Sequence, residues 1–135
     1  MRAEERDELV RYRLQRAHEA LTEASLLMEQ ELWHGSVNRL YYAMFYAAVA
    51  LLAAHNIHPK THKGVRQQFS MLFLATGKLP EELGLAYSEL FERRHSGDYD
   101  DFVSVEGEVV IRLREHTVMM IGTIEAIMAD NGGTV

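Results

Sequence analysis

Apolar residues recur at intervals of three and four along most of the chain, which is the spacing of one face of an α-helix. No stretch shows the sustained alternation that is typical of a half-buried strand. Five helices are predicted, covering residues 3–30, 37–55, 62–76, 80–95 and from 104 to about 129. Because the connections are short, we predict an all-α fold, an up-and-down bundle of four long helices plus one shorter helix.

The second predicted helix contains the longest uncharged apolar run, residues 40–54. Its 15 residues fall short of the roughly 20 that a helix needs to cross a bilayer. A helix that is apolar nearly all round is buried by neighbouring helices. We therefore predict a buried central helix and no membrane association.

Glycine, serine and proline mark the predicted helix boundaries. Gly35 is expected to separate the first two helices, and Ser36 to cap the second. Pro80 suits the first turn of the fourth helix, and Gly97 is a candidate left-handed cap at its end. Ser104 is the candidate N-cap of the last helix.

Composition predicts one domain over residues 1–135, with its core at about 8–129 and a frayed tail at 130–135. The absence of cysteine excludes disulfides and thiolate metal sites. The charged N-terminus lacks the apolar segment of a signal peptide, so we expect a cytoplasmic protein. The net charge of −6 argues against broad binding to nucleic acid or anionic membranes, although a local basic site remains compatible with it.

Charged and aromatic residues concentrate in the stretch FERRHSGDYDDF, residues 91–102. Arginines at the end of the fourth helix would stabilise its negative dipole end, and an Arg–Asp pair would fix the corner. The same arginines could instead bind phosphate, and a tyrosine could stack on a base. Both interpretations stay open at this point. The candidate residues are Arg93, Arg94, His95, Asp98 and Tyr99.

Three histidines near the third helix have a spacing that suggests a metal site. His55, His58 and His62 are separated by a loop that contains Pro59, and no nearby acidic residue completes the set. We therefore predict no metal site, and His62 is expected to pack or cap near the functional face. Because no glycine-rich phosphate loop or nucleophile motif occurs, no cofactor is predicted.

Three motifs in order resemble the HEPN domain family. They are NRLYYAMF on the second helix, THKGV at the start of the third and RRHSGDYDD before the last. The resemblance covers about residues 17–127 and implies a homodimeric bundle of four to five helices, often encoded beside a nucleotidyltransferase as a toxin–antitoxin-like pair. It also implies that Asn38 lies near the arginine motif. Arg39 and Tyr42, on the same helix, are further candidates, and Arg39 would pair with an acidic residue of the corner. The alternative is that these side chains pack in the core and form hydrogen bonds within it.

Many HEPN proteins are metal-independent ribonucleases whose motif places a histidine several residues after an arginine. Here Asp98 stands where that histidine is expected, and an ionised carboxylate is a poor proton donor at neutral pH. We therefore predict a module that binds a nucleotide, RNA or a partner protein. The alternatives are an endoribonuclease of the same fold and a purely structural helical dimerisation protein.

Overall fold

The structure is a computed structural model that describes residues 1–99 and 105–130, with residues 95–99 described by their backbone alone. Within these residues it contains helices and no strand, which confirms the predicted all-α class. The elements are α1 (Ala3–Glu29), α2 (Trp33–Ala54), α3 (His62–Phe69), a π-helical turn (Ser70–Leu74), α4 (Glu81–Tyr99) and α5 (Gly107–Asp130).

The helix α2 lies at the centre of the bundle, as predicted, and packs against α1, α3, α4 and α5. By length and composition it is the one helix among the described residues that could cross a membrane, but 67% of that stretch is buried inside the bundle. Its side chains fill the core from all sides because it is apolar nearly all round. Leu40, Met44, Ala47 and Leu52 are each fully buried.

The surrounding helices each contribute one apolar stripe to this core. On α1 the stripe is made of small residues, since Ala17, Ala20 and Ala24 are all buried, and small side chains allow two helices to approach closely. The stripes of α4 and α5 carry larger side chains. They include Leu83, Tyr87 and Leu90 on α4, and Leu113, Met120 and Ile124 on α5.

The boundary between the first two helices differs from the prediction. The chain turns at Glu31, which has a φ of 56°, and α2 already begins at Trp33. Gly35 and Ser36 therefore lie inside α2, and Ser36 is not its N-cap. The Ser36 hydroxyl donates instead to the Leu32 carbonyl at 2.8 Å, which is the usual bond of a serine inside a helix.

The segment predicted as a single third helix is divided into α3 and the π turn. Thr61 caps α3, because its hydroxyl oxygen accepts a hydrogen bond from the Gly64 amide at 2.9 Å. In the π turn the Ala75 amide bonds to the Ser70 carbonyl, five residues back, at 2.8 Å. The wider turn rotates the following side chains relative to a regular α-helix, and π turns are frequent at functional sites.

The fourth helix is longer than predicted. Pro80 directly precedes its first residue, and the helix continues through Gly97 to Tyr99, so Gly97 is not its C-cap. One glycine lowers helix propensity by only about 1 kcal/mol, which does not end this helix.

The last helix begins at Gly107, one residue after Glu106, whose carbonyl accepts from the Val110 amide at 3.3 Å. The predicted cap Ser104 lies outside the described residues. Asp130 still belongs to α5, and the rest of the predicted tail, residues 131–135, also lies outside them.

Candidate functional site

The Arg94 side chain lies against two tyrosines of the central helix. Its Nη2 donates to the Tyr42 hydroxyl at 2.9 Å, and its Cζ is 5.2 Å from the ring centroids of both Tyr41 and Tyr42. These contacts join residues 52 positions apart in the chain. The Arg94 Nε is buried and has no hydrogen-bond partner among the described residues. The guanidinium is therefore held in one orientation by aromatic surface and one hydroxyl.

A histidine from α3 completes this arrangement. The Tyr41 hydroxyl and the His62 Nδ1 are 2.7 Å apart, and the imidazole stacks on Phe45 with a centroid distance of 4.3 Å. The His62 ring also meets Tyr42 edge-on at 5.9 Å. The imidazole is thus fixed by contacts on several sides. Burial lowers the pKa of His62, and the nearby Arg94 charge lowers that pKa further, so the ring is neutral at neutral pH.

The fully buried Tyr41 is influenced by the charges of two arginines, Arg94 and Arg66. Burial raises the pKa of Tyr41 to about 12, and the charges of Arg94 and Arg66 oppose this shift. Its hydroxyl therefore keeps its proton at neutral pH. Arg66 lies one turn after His62 on α3, with its Cζ 4.0 Å from the Phe91 ring centroid. Two guanidinium charges consequently act on one buried tyrosine, and Arg66 is also paired with Glu92 at 3.5 Å.

Arg39 and Asn38, both predicted on the second helix, differ in the contacts that the structure shows for them. The Arg39 Cζ is 5.1 Å from the Tyr42 ring centroid, so Arg39 and Arg94 both contact the same ring. The acidic partner of Arg39 is Glu23 of α1, at 3.2 Å, whereas the corner residues expected to pair with it lie outside the described side chains. Asn38 is half-buried, and no hydrogen bond of its side chain is found within the described part of the chain.

Arg93 does not join this site. Its Nε donates to Glu89 at 2.9 Å, and the same carboxylate accepts two bonds from Arg112 of α5, both at 3.1 Å. Burial alone would raise the pKa of Glu89, but the hydrogen bonds and charges of Arg93 and Arg112 together outweigh it, and the pKa is lowered. Consecutive residues of a helix point about 100° apart, which is why the paired arginines face different neighbours. Arg93 belongs to the α4–α5 contact.

The side chains of His95, Asp98 and Tyr99 lie outside the described residues, although the backbone at these positions is helical.

Among the side chains that the structure describes, no group of three or more histidine or acidic residues could hold a metal ion.

We define the Arg94 site as Arg39, Tyr41, Tyr42, His62 and Arg94. Three of these residues, Arg39, Tyr42 and Arg94, were predicted from the sequence as ligand contacts, and His62 was expected to pack or cap near the functional face. Arg66 was not predicted; its guanidinium lies over Phe91, and the Phe91 ring packs edge-on against Tyr41. The spacing of four residues between His62 and Arg66 would have placed both on one face of α3. The arrangement suits an anion, because guanidinium groups bind carboxylates and phosphates through parallel N–H donors.

Comparisons with known proteins agree with this architecture. A family model of the HEPN domain matches residues 10–128. A "UPF0332 protein" of Thermotoga maritima is 38% identical over 126 residues, which are 93% of this chain and 96% of that protein.

Two proteins of Methanocaldococcus jannaschii are also similar. "Putative toxin MJ0605" is 36% identical over 97 residues, covering 70% of this chain and 72% of that protein. "Putative toxin MJ0142" is 34% identical over 95 residues, covering 70% of this chain and 65% of that protein. Because the family model matches most of the chain, and the Thermotoga relative nearly all of it, this protein belongs to the HEPN domain family.

Proposed function

We propose that this HEPN protein binds the phosphate of a nucleotide or of RNA at the Arg94 site. The observation that carries the proposal is the Arg94 guanidinium, which the Tyr42 hydroxyl holds at 2.9 Å against two tyrosine rings. A side chain that is already oriented loses less conformational entropy on binding than a free one. Arg39 contacts the same Tyr42 ring, but its charge is paired with Glu23, so the proposal relies on Arg94.

RNA-binding assays on alanine variants of two neighbouring arginines, Arg94 and Arg93, test this proposal. We expect Arg94→Ala to weaken binding of a fluorescein-labelled single-stranded RNA about 10- to 100-fold in fluorescence anisotropy. The physical reason is that a hydrogen bond to a charged group contributes about 1.5–3 kcal/mol, and each 1.4 kcal/mol is about tenfold in affinity.

The matched control is Arg93→Ala, which removes the same charge one residue away. Because Arg93 is paired with Glu89, this variant should bind within about threefold of the wild type. Equal losses in both variants would indicate nonspecific electrostatics, and undiminished RNA binding by Arg94→Ala would contradict the proposal.

We further propose that the protein acts as a homodimer in a toxin–antitoxin-like pair with a nucleotidyltransferase. The toxin designations of the two Methanocaldococcus relatives support the pair. Ile111, Val118 and Met119 are exposed on α5. Their spacing of seven and eight residues places them on one face of that helix, and this apolar face supports the dimer. Light scattering should give a dimer mass, and co-purification with a nucleotidyltransferase encoded beside it would support the pair.

One observation favours endoribonuclease activity as a second candidate function. His62 supplies a neutral imidazole beside Arg94, although Asp98 occupies the position where the family motif has histidine. In the tautomer whose Nδ1–H donates to the Tyr41 oxygen, the His62 Nε2 is a proton acceptor. It would take the proton of an RNA 2′-hydroxyl while the 2′-oxygen attacks phosphorus. The bond from phosphorus to the 5′-oxygen would break, and that oxygen would leave with a proton from water.

Incubation of the protein with RNA in the presence of EDTA tests this second function. If it operates, the wild type should produce fragments that end in a 2′,3′-cyclic phosphate, and His62→Gln should reduce the cleavage rate at least 100-fold. The same variant should keep RNA binding within a few-fold of the wild type, because Arg94 remains. Cleavage that persists in His62→Gln would exclude His62 as the base, and intact RNA with the wild type would leave binding as the function.

A further inference from the structure

A groove of about 700 Å³ runs between the π turn and α4. Two small residues of α4, Gly84 and Ser88, line its floor. At Gly84 the two elements approach so closely that an added Cβ would overlap the Leu74 side chain. The edges are formed by Met71 on the π turn and Leu85 on α4, which are 56% and 65% exposed. Large apolar side chains therefore stand on both sides of a narrow floor.

The shape of this groove suits a protein segment better than a small molecule. Small-molecule sites enclose most of their ligand, whereas here both edges are largely exposed and the groove is open to solvent. A groove between two helical elements accepts the ridge of side chains on a third helix. Among the described residues, none of α5 or of the Arg94 site lines it. The groove is therefore separate from the proposed phosphate site and from the exposed apolar face of α5.

Opposite charges lie at the two ends of the groove. Because α3 and α4 are antiparallel, Leu74 lies beside Gly84, and Arg66 lies over the Phe91 ring, 4.0 Å from its centroid, further along α4. Arg66 lines this end of the groove, and Glu81, the first residue of α4, lines the other. The ten residues from Glu81 to Phe91 correspond to about 15 Å along a helix axis.

The positive end remains accessible to a partner. The Glu92 carboxylate contacts the Arg66 guanidinium at 3.5 Å, and the Glu92 side chain is 66% exposed. An exposed ion pair of this length contributes little free energy. A carboxylate of a bound protein can therefore replace Glu92 at Arg66.

We infer that this groove docks an amphipathic helix of a partner protein. The apolar face of that helix, with residues three and four positions apart, packs between Met71 and Leu85. The methionine side chain adapts readily to the shape of such a partner. An Asp or Glu of the partner faces Arg66, and a Lys or Arg about ten residues away along its helix faces Glu81. These end charges set the direction in which the helix lies.

Selection of phage-displayed peptides tests this inference. The library holds helical peptides of about 18 residues, which is five turns, with one face randomised, and the wild-type protein is the target. We expect the enriched peptides to carry apolar residues at spacings of three and four, with an acidic residue towards one end and a basic residue towards the other. In fluorescence anisotropy, Leu85→Glu should weaken binding of such a peptide at least about tenfold, because it places a charge against the apolar face.

The matched control is Leu26→Glu. Leu26 is a leucine of α1 with a similar exposure of 57%, and it does not line the groove, so this variant should bind the peptide within about twofold of the wild type. Met71→Glu is a second edge variant if Leu85→Glu does not fold. Equal losses in Leu85→Glu and the control, peptide binding that both edge variants keep, or a library that yields no peptide dependent on the edges would each overturn the inference. Light scattering detects another occupant: a dimer mass that falls to that of a monomer in Leu85→Glu would mean that a second copy of the chain fills the groove instead.

Charge reversal tests the chemistry of the partner. Arg66→Glu should weaken binding of an enriched peptide about two- to fivefold, the range of an exposed ion pair. The same peptide with its acidic residue replaced by lysine should bind Arg66→Glu more tightly than it binds the wild type. Independent effects of the two substitutions would contradict the predicted contact with Arg66. RNA does not enter these measurements, so a failure of the proposed RNA binding would leave this inference standing.

Discussion

Replacing Tyr41 with alanine is expected to lower the free energy of unfolding by about 3–5 kcal/mol, the cost of truncating a buried aromatic residue. The Tyr41 side chain is fully buried and contacts the rings of Tyr42, Tyr87, Phe91 and His62. Its removal would leave a cavity where α2, α3 and α4 meet. Urea denaturation followed by circular dichroism would measure the change.

Tyr41→Phe separates the contribution of the Tyr41 ring from that of its hydroxyl, and Tyr12→Ala is the control at the surface. Tyr41→Phe keeps the ring and removes the partner of the His62 Nδ1, so a loss of about 1 kcal/mol is expected. Tyr12→Ala removes the same kind of side chain from the surface, where Tyr12 is 59% exposed, and should change stability by less than about 0.5 kcal/mol. A small effect of Tyr41→Ala, close to that of Tyr12→Ala, would show that this residue does not anchor the three helices.

The second large effect is expected at Gly107, the first residue of α5. A Cβ at this position would lie 2.7 Å from the Trp33 Cζ2 and 3.1 Å from its Cε2. The indole ring is rigid, so either Trp33 or the start of α5 must move. Gly107→Ala is therefore expected to destabilise the protein by about 1–2 kcal/mol, as overpacking does. The midpoint of thermal unfolding should fall accordingly.

The control for this substitution is Gly122→Ala on the same helix. An added Cβ at Gly122 meets nothing within 4 Å, so the better helix propensity of alanine should raise stability by about 0.5–1 kcal/mol. Opposite signs at the two positions would establish that contact with Trp33, and not helix propensity, requires glycine at the start of α5. A stabilising effect at both would mean that Trp33 moves aside freely.

The helices were predictable because their signals are local. The apolar spacing on α1, α4 and α5 depends only on residues within a few turns, and it identified the buried faces. The apolar composition of α2 likewise indicated its central position. Single boundary residues were less predictable. Ser36 has the chemistry of a cap and also of an interior residue that bonds to its own helix, and the path of the chain around Glu31 decides between the two.

The candidate site was only partly predictable. The sequence pattern singled out Arg93 and Arg94 equally, and the fold separates them, because one faces Glu89 and Arg112 and the other faces Tyr42. The proximity of His62 to Tyr41 depends on how α3 packs against α2. No spacing along the chain encodes that distance.

The sequence by itself determined the all-α class, the central helix and the resemblance to HEPN domains, since periodicity, propensity and motif order belong to the chain. Only the tertiary structure decided which charged groups lie together. It joined Arg94 to Tyr42, placed His62 and Arg66 beside Tyr41, and formed the groove between the π turn and α4. The physical reason is that affinity for an anion depends on distances between side chains from different helices, and packing of the whole core sets those distances.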